Sequence, residues 1–229
     1  MNPVKKKIKV GAITLGQSPR VDMIPEIEAT LGAGFEIIQA GAVDQYSYQE
    51  IITRFSPKTG EQLLVSKLRD GREVALAERH IIPLLQDCID QLAGQGVDVI
   101  LLLCTGSFPN FNFPGLIITP QTILQQVITG LIGDKKLGIM VPAPNQLAQI
   151  SQRWRDSGII VEAKAASPYQ KLAKLAEKAR EFVGSEVEVI LLDCMGYSKK
   201  MKEVVLLNSG KKVVLARTMV AAVVRELLS

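Results

Sequence analysis

The chain has 229 residues, a formal net charge of +4, 47% hydrophobic residues and 22% charged residues, which are the proportions of a soluble globular protein. The length suits two modest domains or one large one. No apolar run approaches the length of a membrane span, and no basic stripe interleaved with aromatic residues indicates a nucleic-acid partner.

The first residues give no sign of a secretory signal peptide. The apolar stretch Val10–Leu15 is too short for the hydrophobic part of such a signal, and no cleavage site follows it. We therefore expect a cytoplasmic protein with neither membrane nor nucleic acid as partner. Three cysteines in that compartment are expected to be reduced, and either buried or chemically active.

The first part of the chain alternates predicted strands and helices. Residues 9–14 predict a strand, residues 15–20 a turn, and residues 34–39 a second strand after a helical stretch. A helix is predicted over 78–92, and it leads into an apolar run that ends in a cysteine. Such alternation is typical of a parallel sheet built from βαβ units.

The apolar run that ends in a cysteine occurs twice in the chain. Val97–Gly106 reads Val-Asp-Val-Ile-Leu-Leu-Leu-Cys-Thr-Gly, and Val187–Gly196 reads Val-Glu-Val-Ile-Leu-Leu-Asp-Cys-Met-Gly. Each copy predicts a buried parallel strand, and α/β proteins bind ligands just beyond the carboxyl ends of such strands. Cys104 and Cys194 are therefore the candidate reactive residues.

The flanking elements also repeat. Residues 136–141 echo the first strand, and residues 142–146 echo the turn after it. In the second copy we also predict a strand at 158–162 and a helix at 169–183. After each cysteine we predict one more strand and a helix, at 116–118 and 120–127 in the first copy and at 213–215 and 216–223 in the second. A duplicated α/β unit explains this order.

The first copy carries an insertion between residues 43 and 77. Inside it, Asp70-Gly71 separates two runs of alternating apolar residues, which predicts a β-hairpin near residues 62–77. Two roles for the hairpin are open. It is either decoration or a dimer contact, or it is a flap over a ligand cleft.

The predicted fold class is α/β, with two similar flavodoxin-like parallel-sheet domains related by pseudo-twofold symmetry and a cleft between them. The first domain is predicted over residues 1–116 and the second over 117–217. The C-terminal helix, residues 218–229, is predicted to pack on the first domain. If the two domains face each other, the two thiols face each other across the cleft.

The sequence contains no motif for a metal site or a nucleotide-binding site. The single histidine, His80, gives no metal-ligand spacing, no Cys-X-X-Cys is present, and no glycine-rich nucleotide loop follows the first strand. We expect neither a metal nor a cofactor. Cys88 lies in an amphipathic helical pattern and is interpreted as a small buried hydrophobic residue.

Two α/β halves that each present a cysteine at a strand end resemble the cofactor-independent aspartate/glutamate/hydantoin racemase superfamily. In that superfamily the cysteines usually precede Asn-Thr and Thr, whereas here they precede Thr105-Gly106 and Met195-Gly196. The chain more closely resembles the AroM family, which looks like a branch of the superfamily. This resemblance covers essentially the whole chain and rests on three segments: Thr14–Asp22, Val141-Pro142 with Gln146, and Val189–Tyr197.

The resemblance implies a racemase, epimerase or isomerase that acts on a small carboxylate or amino acid. One thiolate takes the α-proton from one face, and the other thiol returns a proton to the opposite face, without metal or pyridoxal. Cys104 and Cys194 are the predicted catalytic residues, and a homodimer is a possible assembly. The predicted substrate-binding residues are Thr14, Gln17, Ser18, Arg20, Thr105, Gly106, Asn145, Gln146, Met195, Gly196 and Tyr197.

Several alternatives stay open at this point. Arg20 either binds a substrate carboxylate or pairs with Asp22, and Tyr197 and Ser198 either line the cleft or cap a helix. A single working thiol suits a decarboxylase or a cis–trans isomerase. A small-molecule-binding or regulatory protein on the same scaffold is the alternative outside enzymes.

Overall fold

The structure is a computed structural model that describes residues 7–229, so residues 1–6 of the predicted first domain lie outside the described residues. The chain divides into two compact units. The first unit comprises the chain up to Pro120 together with Ala221–Ser229, and the second comprises Gln121–Val220.

The first unit is built on a four-stranded parallel sheet with the order β2-β1-β5-β6. Its strands are β1 (Ile8–Thr14), β2 (Phe35–Gly41), β5 (Val99–Leu102) and β6 (Leu116–Ile118), with a separate antiparallel pair, β3 (Leu63–Lys67) and β4 (Glu73–Ala77). Its helices are α1 (Ile24–Leu31), α2 (Tyr48–Phe55) and α3 (Glu78–Gly94). All four residues of β5 are buried, as expected for an inner parallel strand.

The second unit repeats this sheet with the order β10-β9-β7-β8, also all parallel. Its strands are β7 (Lys136–Val141), β8 (Val161–Ala165), β9 (Val187–Leu192) and β10 (Lys212–Leu215). The helices of this half of the chain are α4 (Pro120–Ile132), α5 (Leu147–Asp156), α6 (Leu172–Arg180), α7 (Lys199–Ser209) and α8 (Ala216–Leu228).

The predicted duplication is confirmed down to the register of the cysteine strands. In the first unit the Leu103 N–H donates to the Ile13 carbonyl at 2.8 Å, and in the second the Asp193 N–H donates to the Met140 carbonyl at 2.9 Å. These are equivalent positions, each one residue before the cysteine. The two cysteines therefore lie at equivalent positions, each in its own sheet.

The two units differ in what they add to the common plan. In the first, α2 and the β3–β4 hairpin lie between β2 and α3; Gly71, at φ +92°, occupies the left-handed turn position that favours glycine. In the second, α7 separates β9 from β10, although the sequence predicts a strand soon after each cysteine. Ser198 caps the N-terminus of α7, and its Oγ accepts the Met201 N–H at 3.3 Å.

Each unit has its own apolar core. The first core includes Ile13, Leu76, Leu85 and Ile100, and the hairpin contributes Leu64 to it. The second core is built from β7, β9 and β10 with helices α6 and α7, and it encloses Phe182 and Tyr197. Within residues 7–229, no helix has the length and apolar character needed to cross a membrane.

Candidate active site

Cys104 lies just beyond the carboxyl end of β5. Its side chain is partly exposed and also packs against the first core. The backbone N–H of Gly106 donates to Cys104 Sγ at 3.3 Å. A Cβ atom at Gly106 would lie 3.2 Å from Leu64 of β3 and 3.2 Å from Phe108, so glycine allows this close turn beside the hairpin.

Cys194 lies at the equivalent position at the end of β9. It is also partly exposed, and the backbone N–H of Gly196 donates to its Sγ, again at 3.3 Å. A Cβ at Gly196 would lie 2.7 Å from the hydroxyl of Tyr169 and 2.9 Å from Pro168, so only glycine fits this turn. The two glycines of the repeated phrase therefore have one shared role, to aim an N–H group at a sulfur.

A hydrogen bond from an N–H group to sulfur stabilises a thiolate more than a neutral thiol. The third cysteine shows the opposite environment. Cys88 is buried on α3, and that burial, with the charges of Asp44 and Asp87, raises its pKa from 9.0 to about 12. Cys88 is therefore a protonated core residue, whereas Cys104 and Cys194 are accessible thiols with a hydrogen-bond donor.

The side chain of Arg20 is held by protein partners. Its Nε and Nη2 donate to the two carboxylate oxygens of Asp22 at 2.9 Å each, and its Nη1 donates to Thr14 Oγ1 at 2.9 Å. Burial would raise the pKa of Asp22, but the hydrogen bond and charge of Arg20, with the charge of Lys67, hold it below the ordinary 3.8. Of the two interpretations of Arg20, the ion pair with Asp22 is present in the structure.

Gln17 and Ser18 form part of a polar network on the loop that follows β1, which we call the first loop. The Ser18 N–H and Oγ donate to the two oxygens of Asp44 at 2.6 Å each, and Gln17 Nε2 donates to the Tyr46 carbonyl at 2.9 Å. Arg69, at the hairpin turn, donates from Nε to the Ser18 carbonyl at 2.6 Å and from Nη2 to Asp44 at 3.1 Å. The hairpin thus fixes the loop that follows β1.

A groove of about 530 Å³ opens beside this network, within the first unit. Its lining residues are Gln17, Asp44, Gln45, Tyr46, Ser47, Tyr48, Arg69 and Asp70. Arg72 lies over the Tyr48 ring at 3.6 Å from its centroid and also pairs with Asp70. Cation, carboxylate and aromatic groups therefore meet at the hairpin end of this unit.

The equivalent loop of the second unit carries Asn145 and Gln146. Asn145 is exposed, whereas Gln146 is partly buried and its Oε1 accepts the Ala143 N–H at 3.1 Å. Asp193, directly before Cys194, pairs with Arg153 of α5. The carboxylate that precedes the Cys194 thiol in the sequence is therefore bound by an arginine.

The residues after each cysteine are more buried than the sequence suggests. Thr105 is 7% exposed and Met195 is 1% exposed, so both side chains are buried. Tyr197 is fully buried in the second core and donates its hydroxyl to the Ala166 carbonyl at 2.6 Å. Ser198, its neighbour, caps α7.

One residue near Cys194 has no signal in the sequence. Arg217, the second residue of α8, is fully buried and donates from Nε to the Met195 carbonyl at 2.9 Å and from Nη2 to the Gly196 carbonyl at 3.0 Å. It lies 21 residues beyond Gly196, and no periodicity links the two. Only the folded structure brings this guanidinium to the loop of the second cysteine.

Over residues 7–229, no group of three or more histidine, cysteine, aspartate or glutamate side chains is arranged to hold a metal ion.

Residues 10–228 match a protein-family model that is described as AroM protein. No curated protein matches the chain by sequence. Several solved structures are similar in fold. The maleate isomerase Iso from Pseudomonas putida S16 has a TM-score of 0.63 at 16% identity, over 97% of this chain and 93% of that one.

Two further solved structures are similar over nearly the whole chain. The aspartate racemase of Picrophilus torridus has a TM-score of 0.64 at 14% identity, over 96% of this chain and 94% of that one. An unliganded arylmalonate decarboxylase has a TM-score of 0.58 at 13% identity, over 97% and 95%. At these identities the likeness shows the fold.

Proposed function

This chain belongs to the AroM protein family, and from that premise we propose that it is a cofactor-independent racemase, epimerase or isomerase that acts on a small carboxylate or amino acid. Cys104 and Cys194 are its two catalytic groups. The observation that carries the proposal is the pair of equivalent sulfurs, each partly exposed at a strand end and each accepting a glycine N–H at 3.3 Å.

The proposed reaction removes a proton from the α-carbon and then adds a proton to the same carbon. The thiolate of one cysteine takes the α-proton, and the electron pair of the broken C–H bond passes into the adjacent carboxylate or carbonyl group. The neutral thiol of the other cysteine then gives its proton to the opposite face of that carbon. The product is the mirror-image centre, and the two cysteines have exchanged protonation states.

The substrate's negative charge needs donors, and each unit offers a set of them. The Thr105–Gly106 and Met195–Gly196 segments bring backbone N–H groups to the strand ends, where oxyanions are commonly stabilised. The first loop brings Gln17 and Ser18, whose donor groups bind Tyr46 and Asp44 in this structure and would exchange those partners for the substrate, and the second brings Asn145 and Gln146. We propose that these loops bind the carboxylate while the thiols act on the neighbouring carbon.

A second candidate keeps Cys194 as the only reacting thiol. The specific observation that favours it is local asymmetry, because the Asp193–Arg153 pair and buried Arg217 lie around Cys194, and Leu103 stands where Asp193 does in the other copy. A single thiol would protonate one face after decarboxylation, or add to a double bond and leave after rotation. The folds of the maleate isomerase and the decarboxylase are compatible with this route.

The test is an assay of enantiomer interconversion, decarboxylation and cis–trans isomerisation with a panel of amino acids, hydantoins and small dicarboxylates. We expect at least one substrate to be interconverted by the unchanged protein and by Cys88→Ala, the matched cysteine control. Cys104→Ala and Cys194→Ala should each lose the activity. Activity retained only in Cys104→Ala would establish the single-thiol route, and ligand binding without turnover in the unchanged protein would favour a binding protein.

A further inference from the structure

The peptide group between Met195 and Gly196 joins two functional groups of the second unit. Its carbonyl oxygen accepts Arg217 Nε at 2.9 Å, and its N–H donates to Cys194 Sγ at 3.3 Å. Arg217 Nη2 also binds the next carbonyl, that of Gly196, at 3.0 Å. The guanidinium is fully buried, so solvent does not screen this contact.

The geometry of a peptide bond makes this connection directional. In a planar trans peptide the carbonyl and the N–H point in opposite directions. An arginine that fixes the carbonyl on one side therefore fixes the N–H toward the sulfur on the other. A charge-assisted bond to the carbonyl also polarises the peptide, which strengthens the hydrogen bond that its N–H donates.

We infer that Arg217 is a positioning residue that makes Cys194 the resting thiolate of the pair, leaving Cys104 as the neutral thiol. Arg217 acts through the Met195–Gly196 peptide, whose carbonyl it binds. The inference rests on the proposed function only for the use of the thiolate as a base.

The first copy provides the internal comparison. Gly106 donates to Cys104 at the same distance, 3.3 Å, so the sulfur contact itself is duplicated. The second residue of α8 is Arg217, whereas the second residue of α4, the corresponding helix of the first copy, is the uncharged Gln121. The duplication therefore kept the N–H···S contact and placed a cation in only one of the two equivalent helix positions.

Other charged and titratable groups lie around the second site. Asp193 lies beside Cys194 in sequence and pairs with Arg153 from α5. The Tyr169 hydroxyl lies against Gly196, the Tyr197 hydroxyl donates to the Ala166 carbonyl, and Lys199 begins α7. These groups are the same in the unchanged protein and in an Arg217 variant, so a difference between the two reports on Arg217.

The experiment is the pH dependence of alkylation by iodoacetamide, measured separately for Cys104 and Cys194 by mass spectrometry. In the unchanged protein we expect the Cys194 midpoint to lie below that of Cys104. Arg217→Gln should raise the Cys194 midpoint, with a roughly tenfold slower reaction at neutral pH for each unit of the rise. Cys104 should be unchanged, and Arg217→Lys should restore part of the effect.

The matched control is Arg155→Gln, which removes a cation from exposed Arg155 of α5, whose Nη2 contacts Gln152 at 3.1 Å. An equal Cys194 midpoint in folded Arg217→Gln and in Arg155→Gln would overturn the inference. If Arg217→Gln fails to fold, the unchanged protein decides: a Cys104 midpoint at or below that of Cys194 overturns the inference, and a higher one supports it. The readout needs no turnover, so it succeeds or fails independently of the proposed function.

Discussion

Asp193 and Arg153 form an ion pair with an Oδ2–Nη2 distance of 2.8 Å, and only 1% of the Asp193 side chain is exposed. The pair joins the end of β9 to α5 immediately before Cys194. Removal of one partner from an ion pair buried this deeply is strongly destabilising, because the remaining charge is poorly hydrated.

Arg153→Met should therefore lower the free energy of unfolding by about 3–5 kcal/mol, the range observed for breaking buried pairs. The chain supplies its own compensating change, because Leu103 stands in the place of Asp193 in the first copy. Urea unfolding should show that Arg153→Met/Asp193→Leu recovers most of the loss. A loss below about 1 kcal/mol for the single variant, as for a surface pair, would contradict this account.

Gly16 is a position where the structure leaves no space for a side chain. A Cβ there would lie 2.2 Å from the Lys67 carbonyl oxygen and 2.8 Å from Ser66 Oγ. Gly16→Ala should cost about 1–3 kcal/mol of unfolding free energy or more, because the first loop must move away from the hairpin. Gly34→Ala is the matched control, since a Cβ at Gly34 meets no atom within 4 Å; equal thermal stability of the two variants would refute the prediction.

Arg69 should control the mobility of the first loop. Its backbone N–H donates to Gln17 Oε1 at 3.2 Å, and its guanidinium binds the Ser18 carbonyl and Asp44. Arg69→Ala should speed amide hydrogen exchange at Ser18, with a stability loss below about 1 kcal/mol because the side chain is half exposed.

Arg72→Ala serves as the control for Arg69→Ala. Arg72 belongs to the same hairpin, but its guanidinium contacts Asp70 and the Tyr48 ring. We expect the Ser18 amide to exchange at the unchanged rate in Arg72→Ala. Equal exchange rates in both arginine variants would mean that the hairpin does not hold the loop through Arg69.

Cys88 should behave differently from the other two cysteines toward alkylating reagents. Its pKa of about 12, raised by burial and by Asp44 and Asp87, leaves only about one thiol in a thousand ionised at pH 9. Mass spectrometry after iodoacetamide treatment at pH 8–9 should find Cys104 and Cys194 modified and Cys88 unmodified. Modification of native Cys88 at a rate similar to Cys104 would contradict the buried environment.

The linkage between Cys88 and folding has a definite sign. Its folded pKa lies above the unfolded value of 9.0, so the unfolded state loses its proton first as pH rises. The stability that the neutral buried thiol contributes is present below pH 9, and it is lost between pH 9 and about 12. Cys88→Ala should therefore unfold with a weaker pH dependence than the unchanged protein over that interval.

The duplicated sheet could be predicted from the sequence because its signals are local. Two apolar runs that end in Cys-X-Gly, flanked by alternating strands and helices, determine parallel sheets and place both thiols at strand ends. The helix α2 could also have been found. Ser47 accepts from the Glu50 N–H while the Glu50 carboxylate accepts from Ser47, a capping box that the spacing Ser-X-X-Glu predicts.

The polar partners of the sites could not be predicted in the same way. Arg217 binds carbonyls 21 and 22 residues away, and Arg153 binds a carboxylate 40 residues away. Contacts between a side chain and a distant backbone group leave no periodic pattern in the sequence. The sequence therefore predicts where the sulfurs lie, and the folded structure is needed to see which charges surround them.

The most direct test of the two-thiol account is enantiomer-specific proton exchange in D₂O, followed by NMR of the substrate's α-proton. With one thiol removed, the remaining thiolate takes and returns a proton on one face, so it exchanges the hydrogen of a single enantiomer without inversion. The account predicts that Cys104→Ala exchanges one enantiomer and Cys194→Ala exchanges the other. Exchange of the same enantiomer by both variants, or full racemisation by either one, would contradict it.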